Sequence, residues 1–268
     1  MMRSSIPLYN QLAADYESHF QAPHRQAYDQ LSWELAIAEL DRTPKAKVIV
    51  DAGCGVGRWA SKLIKLGHSV IGIEQAPTMI AVAKQKNLGS SLKIVESSIE
   101  EAQLPEDSVD MVLAMGSLQY TMNPQEAIIK FIKWLKPGGH ICLLYDSLVA
   151  MVSELLNAGK TQEALERLHT QKGVWVQGEH SADLHLMHSK QVENYCGRAG
   201  LIEIRSHGLL INASTLGKNR LIEQLQKNPT SIMALERQLL QSEVLADMGK
   251  QILTLAKKPI VSSRKNIG

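Results

Sequence analysis

Between Val48 and Gln75 the chain reads VIVDAGCGVGRWASKLIKLGHSVIGIEQ, and this segment narrows the choice of fold more than any other. Val48 to Val50 are β-branched and apolar without alternation, the pattern of a strand buried on both faces. Asp51-Ala-Gly-Cys-Gly-Val-Gly57 then strips bulk from a turn, as a loop needs where its backbone must approach a ligand closely and take positive φ. Trp59 to Leu66 resumes helical spacing. Val70 to Ile73 is a second buried strand, closed by Glu74. That acid lies 21 residues after Gly53, near the roughly 20-residue interval at which a carboxylate meets a ribose hydroxyl in doubly wound folds. The unit is laid out to hold an adenosine-containing ligand.

The details of the turn choose among such ligands. A dinucleotide site asks for G-x-G-x-x-G and a helix N-terminus aimed at a pyrophosphate. Here the glycines fall at 53, 55 and 57 and an aspartate precedes them, which suits a cationic cofactor better than a phosphate. The run D-A-G-C-G-V-G-R resembles the first motif of the class I S-adenosylmethionine (SAM)-dependent methyltransferases, of the type 11/25-like group. The resemblance implies a loop passing under the methionine part of SAM and an acid, Glu74, on the ribose hydroxyls. It also implies S-adenosylhomocysteine as product.

Downstream segments keep the family's order. Leu92 to Val95 reads as strand three, followed by Ser97-Ser98-Ile99-Glu100 where the family carries a Gly-Asp-Ala-like run against adenine; Ser98 stands in place of the usual acid. Leu104 to Asp110 is similar to the family's turn into strand four, Met111 to Met115. A helix is expected from about Pro124 to Leu135, then a K-P-G-G turn (Lys136 to Gly139) and strand five, His140 to Leu144. Leu201 to Ser206 and Gln251 to Ala256 read as strands six and seven, the seventh implied by the resemblance to be antiparallel between five and six. The fold class expected is therefore α/β: a Rossmann-like seven-stranded, mostly parallel sheet flanked by helices. The whole chain, 1–268, is read as one domain. Within it lie an N-terminal helical lid (8–43), a SAM-binding core (44–146), a helical substrate cap after strand five (147–189) and the rest of the sheet (190–258).

On the resemblance, the cofactor site draws on Asp51, Gly53, Cys54, Gly55 and Gly57 in the loop, and on Glu74, Gln75 and Met79 after strand two. Ser98 and Ile99 add to it after strand three, and Met115, Gly116 and Tyr120 after strand four. From the lid, helices are expected over Leu8 to His19 and about Arg25 to Leu40. Tyr9 and Tyr16 lie seven apart on one helical face, and the resemblance implies that one of them, Tyr9 or Tyr16, caps the methionine moiety. Arg25 offers a fork of donors that suits the SAM carboxylate. Tyr9, Tyr145, Trp175, His185 and His188 are expected against the acceptor. Candidate proton acceptors are Tyr120, Tyr145 and His188, with Asp146 and His185 beside them; a neutral histidine is matched to pH 7. The cap is read as helices over Leu148 to Leu156 and Gln162 to His169, then a short loop or strand at Gly173 to Gly178. A helix from Gln191 to Ala199 follows, with Ser189 as N-cap.

Composition sets the remaining limits. With 29 basic and 27 acidic residues the net charge is +2, no strong footprint for nucleic acid or anionic lipid. His180, His185 and His188 match no zinc template, so no metal is expected. Three cysteines without redox spacing point to a reducing, cytoplasmic setting. No long apolar run predicts a membrane span. The reading is a methyltransferase acting at oxygen or nitrogen of a small molecule. A tRNA substrate is the alternative, through a diffuse likeness of the Arg25 helix and the C-terminal region to a tRNA wobble-uridine carboxymethyl-type methyltransferase subgroup. A non-catalytic SAM-binding protein is the alternative of another class, and a homodimer is left open.

Overall fold

The computed structural model describes residues 2–40 and 45–260. The last positions of the expected lid (41–43) lie outside the described residues.

A seven-stranded sheet organises the chain. Its strands are β1 (Val48–Ala52), β2 (Ser69–Glu74), β3 (Leu92–Glu96), β4 (Val109–Met115), β5 (Leu135–Asp146), β8 (Ile202–Leu209) and β9 (Gln251–Lys257); β6 (Lys172–Gln177) and β7 (His180–His185) pair separately as an antiparallel hairpin. The spatial order is β3-β2-β1-β4-β5-β9-β8. The pairings from β3 through β5 are parallel, whereas β9 runs antiparallel to both β5 and β8. This is the expected topology, including the inserted antiparallel strand.

Period-two alternation sorts each strand's side chains onto two faces. Val50, Val112, Leu143 and Tyr145 join one core cluster, covered by Phe131 and Trp134 of α5 (Pro124–Trp134) and Val192 and Cys196 of α8 (Ser189–Arg198). Ile49, Leu113, Cys142, Leu144 and Leu253 join the other. Helices α2 (Pro23–Leu40), α3 (Arg58–Lys65), α10 (Lys218–Lys227) and α11 (Pro229–Leu239) cover that face. Both faces of these strands are thus covered, and each buried residue, worth about 1.5–3 kcal/mol of transfer energy, finds partners on its own face, which is why these strands read as unbroken apolar runs. The remaining helices are α1 (Ile6–Leu12), α4 (Pro77–Gln85), α6 (Leu148–Asn157), α7 (Thr161–Thr170) and α9 (Ile211–Leu216).

Several expectations need revision. The first lid helix stops at Leu12 and continues as a 3-10 stretch, Ala13–Gln21. The K-P-G-G run lies within β5 rather than before it, with Gly138 at φ +81°. His188, not Ser189, caps α8: its Nδ1 accepts from Gln191 N at 3.2 Å. Ser189 instead binds Asp247, its N–H donating to Oδ1 at 2.6 Å and its hydroxyl to Oδ2 at 3.0 Å. Residues 173–178 belong to the hairpin, whose second strand has the alternating burial that its sequence, HSADLH, conceals behind polar side chains.

Lid and cap meet above the C-terminal ends of β1, β4 and β5. Arg3 binds Asp183 of β7 twice, through Nε at 2.8 Å and its backbone N–H at 2.9 Å. Leu8, Leu12 and Val56 pack with Ala182 in one small apolar cluster. The two additions therefore close over the sheet as a unit.

Candidate active site

The glycine loop is held from two sides. Gly53 and Cys54 both donate their N–H to Ile73 O, at 2.8 and 3.0 Å. The Glu74 carboxylate accepts from Gly55 N at 2.9 Å through one oxygen and from Gln75 N and Ala76 N at 2.8 Å through the other. Burial raises the Glu74 pKa, and these backbone donors work against the rise. On the β4 side, a Cβ at Gly53 would stand 2.4 Å from Ser117 Cβ, and its φ is +79°. Glycine is required there twice over, for conformation and for space.

The loop floors two adjoining chambers. The smaller, about 80 Å³, lies over Glu74, Gln75, Ser97, Ser98 and Ile99. The larger, about 360 Å³, extends under the lid and cap. Both are lined by Tyr9, Tyr16, Gly53, Gly55, Met115, Gly116 and Tyr120. Tyr9 stands edge-on to Tyr120 and to Trp175, ring centroids 5.6 Å apart in each case, and tilted against Tyr16 at 6.2 Å. Seven of the chain's twelve aromatic residues line the larger chamber, so ring faces and edges form part of its walls.

Charged and polar side chains also line the larger chamber, among them Asp51, Arg58, Arg25, Asp146, Gln119 and His24. Asp51 is 2% exposed and its Oδ2 has no hydrogen-bond partner among the described residues. Burial pushes its pKa up to about 7, against the pull of Arg58. Leaving such an atom unsatisfied costs about 1–3 kcal/mol, a cost that a cationic or hydrogen-bond-donating ligand removes. Arg58 is committed elsewhere: it pairs with Asp29 at 2.5 Å and lies 3.8 Å over the Phe20 ring. Arg25 reaches the same ring at 5.9 Å and pairs with no carboxylate among the described residues. At the far wall, Asp146 accepts from Gln119 Nε2 at 3.2 Å and Gln251 Nε2 at 3.1 Å, and burial raises its pKa. His24 also lines this chamber, its pKa lowered to about 4 by burial, with Nδ1 unpartnered.

The structure thus gathers Tyr9, Tyr16, Arg25, Asp51, Gly53, Cys54, Gly55, Glu74, Gln75, Ser98, Ile99, Met115, Gly116, Tyr120 and Trp175 around the two chambers. Five expected residues lie elsewhere. Met79 is fully buried beneath the loop, its sulfur facing the Gly55 position. Gly57 is the N-cap of α3, at φ +73°. Tyr145 is fully buried on the opposite face of β5 from Asp146, its hydroxyl 2.8 Å from Thr254 Oγ1; successive strand residues cannot face the same chamber. His188 is spent on its cap. His185 lines a separate cavity of about 190 Å³ with Gln171, Gln191 and Tyr195. Sequence reasoning missed Ser97, Ser117, Gln119, Gln251, His24 and the cation-stacked Phe20. For Ser97 and Ser117 the signal was adjacency to the quoted motifs. His24 adjoins the candidate Arg25 and Gln251 opens the segment read as strand seven, but neither carries a spacing signal of its own. Among the described residues no cluster of three His, Cys, Asp or Glu side chains could hold a metal ion.

Comparison with known proteins bears on the family and the fold. Residues 50–143 match the family described as "Methyltransferase domain". A 2-methyl-6-phytyl-1,4-hydroquinone methyltransferase of Arabidopsis thaliana is 35% identical over 98 residues, 36% of this chain and 29% of that one. A ubiquinone biosynthesis O-methyltransferase of Aliivibrio fischeri is 34% identical over 98 residues, 35% and 42% of the two chains. The matched stretch thus spans less than half the length of these curated relatives. Among solved structures, a SAM-dependent methyltransferase of Mesorhizobium loti superposes with a TM-score of 0.55 at 17% identity, covering 82% of this chain and 95% of that one. A phosphoethanolamine N-methyltransferase of Haemonchus contortus, in complex with SAM, gives 0.56 at 16%, covering 85% and 53%. Residues 50–143 thus match a methyltransferase domain, and the chain has the Rossmann-like fold seen in class I SAM-dependent methyltransferases.

Proposed function

We propose that this chain is a SAM-dependent methyltransferase that transfers a methyl group to oxygen or nitrogen of a small-molecule acceptor. The observation that carries the reading is the pair of chambers meeting over Gly53, Gly55 and Gly116. One chamber has the carboxylate and small polar groups that suit adenosine, and the other has aromatic walls that suit an acceptor. In this reading Glu74 takes the ribose hydroxyls, Ser98 the adenine edge, and Asp51 and Arg25 the two charges of the amino-acid end. Bound SAM supplies an already activated methyl group on a sulfonium. The protein's own contribution is to align the acceptor and exclude water, for which good orientation supplies about 7–11 kcal/mol. Lid and cap, packed together at Leu8, Leu12 and Ala182, with Arg3 ahead of the lid bound to Asp183, cover the site.

The aromatic side chains of the larger chamber and the near-neutral charge support a small acceptor over an RNA groove. The quinone- and hydroquinone-directed names of the curated relatives point the same way. Among the described residues no helix is long and apolar enough to cross a membrane, and the three cysteines are free and buried, which supports a cytoplasmic setting. The test is transfer of labelled methyl from SAM into a cell extract split into small-molecule, RNA and protein fractions. Label in the small-molecule fraction is expected. RNase-sensitive label would replace this reading with the tRNA one. SAM binding without label in any fraction would leave a non-catalytic binder.

A further inference from the structure

The far wall of the larger chamber carries hydrogen-bonding capacity that the cofactor reading leaves unused. Asp146 closes β5 and is paired in register with Gln251 of β9. Its two oxygens each accept one side-chain amide, from Gln119 and from Gln251. A carboxylate only accepts, so the Gln119 nitrogen must face it and Gln119 Oε1 faces away. Gln119 is 3% exposed, lines the chamber, and its Oε1 has no partner among the described residues. The charged and titratable groups nearest the Asp146 carboxylate are Lys250, Glu154, Arg25, Tyr120 and Tyr28. Lys250 is bound to Glu154, and no cation stands within ion-pair distance of Asp146 among the described residues. The wall therefore presents acceptors, with capacity to spare, beside Tyr9, Tyr120 and Trp175.

Building on the methyltransferase reading, we propose that Gln119 and Asp146 are the docking point for the methyl acceptor, a planar-ring compound that presents an O–H or N–H donor. The ring packs among the aromatic walls, and its donor hydrogen-bonds to this wall. As the oxygen or nitrogen lone pair bonds the methyl carbon, the carbon–sulfur bond breaks and its electron pair stays on sulfur. The O–H or N–H proton passes to the Asp146 carboxylate and then to water. Gln119 and Gln251 keep that carboxylate turned toward the ring.

Matched probes test this by ligand-observed NMR and tryptophan fluorescence: catechol against 1,2-dimethoxybenzene, and benzimidazole against 1-methylbenzimidazole. The donor-bearing member of a pair should bind at least tenfold more tightly, and Asp146→Asn, which keeps the side-chain shape, should abolish the preference. SAM affinity measured by calorimetry should be unchanged in that variant. Gln119→Leu should weaken the donor-bearing probe alone. Equal binding within both pairs, a preference surviving Asp146→Asn, or no binding by any probe would overturn the proposal. Response to catechol alone assigns an oxygen acceptor, and response to benzimidazole alone a nitrogen one. Failure of the wild-type chain to bind SAM would sink the methyltransferase reading separately, since the probes are read without cofactor.

Discussion

Glu74, at the end of β2, accepts the backbone N–H of Gly55 at 2.9 Å. The acid that the ribose reading assigns to a ligand is thereby also the strut of the glycine loop. Ligand contact and loop shape depend on the same side chain.

Glu74→Ala should therefore lower SAM affinity by more than a lost ribose contact alone. Hydrogen bonds to a charged group contribute about 1.5–3 kcal/mol, so a loss of at least about tenfold is expected by calorimetry. Glu74→Gln keeps one acceptor oxygen and should fall between. An unchanged affinity in a folded Glu74→Ala chain would remove Glu74 from the site.

Asp51 gives a pH signature. Its pKa stands at about 7 because burial disfavours the charged form, so the empty site holds a proton below that pH. A cationic ligand favours the carboxylate and must expel it. SAM affinity should rise as pH goes from about 5.5 to 7 and level off above. Binding near pH 6.5 should release protons, detected as a heat that differs between phosphate and Tris buffers. Asp51→Asn should flatten both. In the free protein the sign is opposite: between the ordinary carboxylate value and about 7 the folded state binds more protons than the unfolded one. Asp51 thus makes stability fall as pH rises across that window.

Gly53→Ala should disrupt the loop. The added methyl meets Ser117 Cβ at 2.4 Å and the residue sits at φ +79°. Left-handed backbone alone costs about 1–2 kcal/mol outside glycine. Adding Ser117→Gly removes the clash but not the backbone cost, so the double variant should regain part of the lost thermal stability and the single one none.

Tyr145→Phe should leave methyl transfer intact while lowering the urea midpoint. The hydroxyl serves Thr254 inside the core, a bond whose net contribution is about 1 kcal/mol. A loss of turnover at full stability would return Tyr145 to the active site.

The parts of this site that were legible in the sequence are local. The strand–loop–strand from Val48 to Glu74 carries its own spacing, and each strand that follows is announced by an apolar run. The sidedness at the end of β5 was not legible: with strand five expected to end at Leu144, only its continuation through Tyr145 to Asp146 makes these neighbours alternate, so that Tyr145 faces away. What could not be read is convergence. Gln119, Asp146 and Gln251 come from positions up to 132 residues apart, and no spacing rule links an amide in a 3-10 turn to a carboxylate two elements away. The hairpin was hidden for another reason, because its buried positions hold alanine and leucine between histidines, serine and aspartate.

Strand β9 follows every other strand in sequence yet lies inside the sheet, between β5 and β8. During synthesis the glycine loop, Glu74 and the ends of β4 and β5 have left the ribosome while Gln251 is still untranslated. The nascent chain thus has every cofactor-side residue in hand more than a hundred residues before its acceptor wall is complete. Until β9 is in place, β5 is an open apolar edge. The interval calls for either shielding of that edge or rapid closure, and cofactor bound to the partial sheet would be one source of order during it.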